Sequence, residues 1–85
     1  MDEIRRMIEI YGPAAQRWKA AEELGELIRA LARQDADNIA EEIADVEIMI
    51  EELKVIYGNA EQVAREKKRK LARMRKAIEE TEARL

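Results

Sequence analysis

The chain contains no cysteine and no histidine. The first absence excludes a disulfide framework and thiolate metal sites. The second removes the commonest transition-metal ligand and the usual general base. Any metal ion here is therefore held through oxygen, which selects magnesium, manganese or calcium. Phenylalanine is missing, Pro13 is the single proline, and strand-forming residues are scarce. No apolar run approaches the length of a membrane span. The opening Met1-Asp-Glu-Ile has neither the basic nor the apolar region of a signal peptide. A cytoplasmic protein with no membrane partner is expected.

What remains is dominated by Ala, Glu, Lys, Arg and Leu, with 41% of the 85 residues charged. That composition reads as all-α, and the length as a single domain over residues 1–85. So few residues bury a thin core, and self-association as a dimer or tetramer is the expected source of further burial. The net charge of −3 conceals a segregation. Half of all Lys and Arg residues fall between Arg65 and Lys76, where Glu66 is the only acid, while the acids concentrate between Glu22 and Glu52.

Apolar periodicity divides the chain into helices. A short one over Asp2–Ile10 (Ile4, Met7, Ile8, then Tyr11) ends at Gly12-Pro13, and Pro13 opens a second that runs to about Arg33. Its stripe is Trp18, Ala21, Leu24, Ile28 and Leu31. Asp37 is the expected N-cap of the next helix, whose seam Ile39, Ile43, Val46, Ile50, Leu53 and Tyr57 alternates spacings of four and three. A second set, Ile48, Met49, Val55 and Ile56, lies off that seam and calls for neighbours on two sides. Gly58 ends the helix, and Asn59 with Gln62 forms a capping-box-like start to the last one. This last helix carries the sparser stripe Val63, Leu71, Met74 and Ile78, and nothing apolar holds its turns over Glu79–Glu82. The expected fold is all-α: a helical hairpin plus a third helix, forming four-helix-bundle-like units in a homo-oligomer.

Against this frame stands one acidic constellation. Glu23 and Glu26 are three apart, as are Glu42 and Asp45, so each pair aims two carboxylates from one helix face. With 19 acids in 85 residues such spacings also arise by chance, and Glu79/Glu82 is an example that carries no weight. Glu42 and Asp45, however, immediately precede the seam residues Ile43 and Val46 and sit at the flank of the packing face. Gly25 lies between Glu22, Glu23 and Glu26, where a helical glycine costs about 1 kcal/mol relative to alanine and implies a close approach. Unpaired carboxylates at facing seams raise one another's pKa values, and a divalent cation removes the conflict. A row of Gln16, Lys19, Glu23 and Glu26 places two further polar groups above the same point.

Glu22-Glu-Leu-Gly-Glu26 followed after fifteen residues by Glu42-Ile-Ala-Asp45 resembles the E-E-x-x-E…E-x-x-D motif of the MazG-like, all-α nucleoside triphosphate pyrophosphohydrolases. Tyr11-Gly12, Gln16 and the late Lys67-x-x-Lys70-Leu-x-Arg73 look like the small, phage-type members. The resemblance implies hydrolysis of a (deoxy)nucleoside triphosphate to the monophosphate and pyrophosphate, a nucleotide-pool house-cleaning role. It implies Mg²⁺, or Mn²⁺ in its place, on Glu23, Glu26, Glu42 and Asp45, with Glu22 behind them or orienting water. Charge neutralisation and an aligned water suffice for this chemistry, so no covalent nucleophile is needed.

Substrate-binding candidates are Gln16, Trp18, Lys19, Met49, Lys67, Lys70 and Arg73. Each has a plainer reading: Trp18 and Met49 as core, Lys19 as an intrahelical ion-pair partner, and the late basic row as a solvated face. No nucleic-acid partner is expected, because the run Lys67–Lys70 has no interleaved aromatic and the chain is acidic overall. Two alternatives remain open at this point. One is a non-catalytic helical interaction module, and the other an enzyme like phosphoribosyl-ATP pyrophosphohydrolase.

Overall fold

A computed structural model describes residues 2–85; Met1, the first residue of the expected domain, lies outside them. Four helices follow one another: α1 (Asp2–Tyr11), α2 (Pro13–Arg33), α3 (Ala36–Tyr57) and α4 (Ala60–Arg84). No strand occurs among the described residues, so the all-α expectation holds. No described helix is long and apolar enough to cross a membrane.

The junctions are local chemistry. Gly12 adopts φ 88°, a left-handed backbone that favours glycine, and Pro13 begins α2 directly after it. Between α2 and α3 only two residues intervene. Gln34 takes the left-handed conformation at φ 56°, and its N–H donates to the Leu31 carbonyl at 3.2 Å. The cap of α3 is Asp35 rather than Asp37: its carboxylate accepts from the Asn38 N–H at 3.3 Å. Because the Gln34 turn reverses the chain at once, the first acid after it reaches the exposed N–H groups, and Asp37 falls inside the first turn. Gly58 closes α3 in the left-handed conformation, as its position implies. Asn59 precedes α4 without the expected capping box. Its side chain makes no cap hydrogen bond, and its buried Oδ1 has no partner. The last helix continues through Glu79–Glu82 to Arg84.

The hairpin of α2 and α3 is the main packing unit, and α1 lies against both. Its inner face differs from the one the apolar pattern indicates. In α2 the inward row is Gln16, Ala20, Glu23, Leu27 and Ala30, while Trp18, Leu24, Ile28 and Leu31 are exposed. In α3 the buried residues are Glu42, Met49 and Glu52. Only Ile39, Val46 and Leu53 of the expected seam are half-buried, and Ile43, Ile50 and Tyr57 face outward. Of the second set, Met49 is buried, Val55 and Ile56 half-buried and Ile48 exposed. Ala20 and Ala30 explain the choice. Two small residues on one row let the helices approach closely there, and the bulky stripe is turned away.

The fourth helix stands apart. It buries no residue and makes no extensive packing with the others. The radius of gyration is 16.6 Å, against about 12 Å for a compact chain of this length.

Within the hairpin Glu52 is only 2% exposed, and its Oε1 accepts no hydrogen bond. Burial raises its pKa above the usual carboxylate value. The folded chain therefore holds this proton more tightly than the unfolded chain. Stability contributed by the protonated form is full below the ordinary carboxylate pKa and is lost as pH rises through the raised one. Thermal melts of metal-free protein from pH 4 to 8 should show this fall. Glu52→Gln should flatten it and melt about 5 °C higher near pH 7; an unchanged profile would exclude Glu52 as its source.

Candidate metal and nucleotide site

The inward rows of α2 and α3 bring acids from both helices to one point. Glu23, Glu42 and Asp45 each present a carboxylate oxygen within 4.8 Å of the other two. Spacing builds this locally. Glu42 and Asp45 are one turn apart on α3, and Glu23 lies one turn beyond Ala20 on the row of α2 that meets them. Sequence reasoning placed the acids at the flank of the packing face; the structure puts them on it. Glu42 is buried, and its Oε2 accepts no hydrogen bond. Desolvation, followed by the charges of Asp45, Glu23, Glu26 and Glu41, raises its pKa.

Of the other acids, Glu26 is half-exposed and pairs with the Arg29 guanidinium one turn on. It remains close enough for its charge to act on Glu42. Glu22 is exposed and lies 3.7 Å from the Lys19 ammonium. Lys19 also reaches Glu23 at 3.1 Å, and that hydrogen bond is the first cause of its raised pKa. One ammonium thus sits at the mouth of the cluster. The donor set is all oxygen, one donor is buried and unsatisfied, and the three carboxylates converge. An oxygen-liganded divalent ion separates its ligands by about 3–4 Å, so small rotamer changes fit this trio to one.

Gln16 is 5% exposed, and its Oε1 has no partner. It lines a 450 Å³ depression with Met7, Tyr11, Trp18, Lys19 and Glu22. Trp18, a substrate-binding candidate whose plainer reading is a core residue, is 70% exposed, so the core reading does not hold. Met49 is buried within the hairpin, as its plainer reading holds. Lys67, Lys70 and Arg73 are exposed on α4, a helix that has no extensive packing with α2 or α3. Beside them Arg69 donates to Glu66 at 2.6 Å, which lowers the Glu66 pKa. Gly25 meets no backbone. A Cβ there would find only the Arg29 guanidinium, at 3.9 Å. The close approach inferred from it does not occur within the chain.

A family model described as the MazG nucleotide pyrophosphohydrolase domain matches residues 13–78. The chain belongs to this family. The matched span begins at the first residue of α2 and contains every acid of the cluster. No match was found among curated proteins or among solved structures.

The sequence analysis assigns no site role to Glu52 or Met7, and names Tyr11 only as part of the Tyr11-Gly12 resemblance. A signal for Glu52 existed: it follows Asp45 by seven residues, two turns along the same face. Met7 and Tyr11 join the Gln16 depression only through the packing of α1 against α2, which periodicity does not report.

Removing one charge from a repelling, desolvated cluster relieves the fold and weakens its hold on a cation. Glu42→Gln should therefore raise the Tm of the metal-free protein and abolish the Tm gain that Mg²⁺ or Mn²⁺ gives the wild type. Differential scanning fluorimetry with and without each ion measures both. An equal gain in wild type and variant would show that the ion binds elsewhere.

Proposed function

We propose that the chain hydrolyses (deoxy)nucleoside triphosphates to the monophosphate and pyrophosphate in a Mg²⁺-dependent reaction. The observation that carries this reading is the convergence of Glu23, Glu42 and Asp45, with the buried Oε2 of Glu42 accepting no hydrogen bond. A family membership spanning 66 residues of the chain supports the reaction class.

In this reading Glu23, Glu42 and Asp45 hold the ion, and Glu26 completes the set by exchanging its Arg29 contact for it. The ion supplies charge neutralisation at the phosphates and lowers the pKa of bound water. Glu22, exposed beside the cluster, orients the attacking water. Lys19 already lies between Glu22 and Glu23, and a triphosphate entering there gives its ammonium a stronger partner. Gln16 offers an unpartnered amide oxygen to the substrate, and the exposed Trp18 ring offers a stacking face. Met49 backs this region from the core. Lys67, Lys70 and Arg73 neutralise the phosphates that the ion does not hold. Self-association as a dimer or tetramer covers the exposed stripes of α2, α3 and α4.

A helical interaction module without catalysis would leave Glu42 a cost with no return, which is why the enzymatic reading is preferred. Purified protein should release pyrophosphate from at least one of the eight common NTPs and dNTPs in the presence of Mg²⁺. Glu42→Gln should reduce that release by about a hundredfold or more. Folded wild-type protein that releases none from any nucleotide would overturn the assignment.

A further inference from the structure

Away from the acidic cluster, two buried side chains of the hairpin each carry an oxygen without a partner. Gln16 is 5% exposed and Glu52 2%, and the Oε1 of each takes part in no hydrogen bond. The register of α2 against α3 sets the two opposite one another. Glu23 and Asp45 meet across the hairpin, whose helices run antiparallel. Seven residues back along α2 from Glu23 lead to Gln16, and seven residues on along α3 from Asp45 lead to Glu52. Seven residues are close to two full turns, so each step returns to the same helix face. The buried Ala20 and Met49 lie between, on the same two rows.

A carboxylate and an amide oxygen are both acceptors, and facing each other they leave both unsatisfied. A half-turn of the Gln16 amide about its last side-chain bond removes the conflict, and that torsion is broad and nearly two-fold. Nε2 then donates to Glu52, and Oε1 turns to the depression that Gln16 lines with Met7, Tyr11, Trp18 and Lys19. Through Lys19 and Glu22 this depression continues into the one lined by Glu23 and Glu26. Gln16 stands about 10 Å along α2 from Glu23. That span is comparable to the reach from the phosphates of a nucleotide to the far edge of its base.

We propose that Gln16 reads the base of the nucleotide and that Glu52 positions it, so that the site favours bases carrying an exocyclic amine, adenine and cytosine. The amine donates to Gln16 Oε1. Hypoxanthine and uracil carry a carbonyl at the same place, whose lone pairs meet those of Oε1. Glu52 touches no substrate. It denies the amide its other orientation, in which the nitrogen would face the base and favour a carbonyl. The inference rests on the proposed reaction for its catalytic meaning, but base preference in binding is measurable without turnover.

Trp18 is the only tryptophan and stands in the wall of the depression, so its fluorescence reports occupancy. Nucleotides are titrated with Ca²⁺ in place of Mg²⁺, in the pairs ATP with ITP and CTP with UTP. Each pair differs only at the amine-or-carbonyl position and the ring nitrogen beside it. ATP and CTP should bind about tenfold more tightly than their keto counterparts. Gln16→Leu and Glu52→Leu should each bring that ratio to about one. Glu52→Gln, whose amide oxygen still accepts from Gln16, should keep it. A merely structural role for Glu52 would weaken both members of a pair alike and leave the ratio unmoved in Glu52→Leu. If Glu52→Leu does not fold, loss of the ratio in Glu52→Gln overturns the positioning role. Equal affinities in the folded wild type, a preference for ITP and UTP, a ratio that survives Gln16→Leu, or no change in Trp18 fluorescence with any nucleotide would each overturn the proposal. With Mg²⁺ the same preference is expected in kcat/KM for pyrophosphate release. Selective binding without any release refutes the proposed reaction instead and leaves the base pocket standing.

Discussion

Carboxylates facing one another across a helix pair repel, and burial deepens the conflict because desolvation disfavours the charged form. Glu23, Glu42 and Asp45 impose this on the α2–α3 hairpin, and much of the remaining structure reads as its accommodation. Ala20 and Ala30 are buried on the same row of α2 as Glu23. Lys19 stands against Glu23 as a partial counter-charge. Glu52 adds a further carboxylate to the same buried face, without a partner for its Oε1. A chain selected for stability alone would fill these positions with leucine. Acids at those positions cost stability, and they lie within the span that the pyrophosphohydrolase family model matches.

The elements were legible where single residues carry a strong backbone preference. Pro13 and Gly58 mark their boundaries because each restricts or permits a particular φ, and the structure uses both as expected. The acidic motif was legible as well, since i, i+3 spacing translates directly into a shared helix face. The inward faces were not. Both α2 and α3 carry apolar residues on more than one side, and periodicity identifies a stripe without saying what it meets. The stripe with the larger side chains was read as the intrachain seam, yet the rows with Ala20, Ala30 and Met49 turn inward. Close approach of backbones is a pairwise property, and no single helix displays it.

Smaller misreadings have equally local causes. Asp35 and Asp37 are both competent caps, and the choice between them is made by the left-handed Gln34 turn, which the sequence does not announce. Asn59 stands at the start of α4 but makes no cap hydrogen bond. Gly25 implies the close approach of something, yet within the chain only the Arg29 guanidinium comes within 4 Å of its Cβ position. The plainer reading of Trp18, a core residue, follows from its place on the apolar stripe of α2, and that stripe faces outward. Its exposure beside Lys19 and Gln16 instead gives the depression between α1 and α2 an aromatic wall.

The two-residue connection between α3 and α4 is the joint that decides where the basic residues of α4 stand. Gly58 takes the left-handed backbone there, and a Cβ added to it would meet nothing within 4 Å. The direction in which α4 leaves the hairpin is therefore set by a backbone conformation that glycine adopts readily and other residues do not, so that a side chain at Gly58 strains the joint although there is room for it.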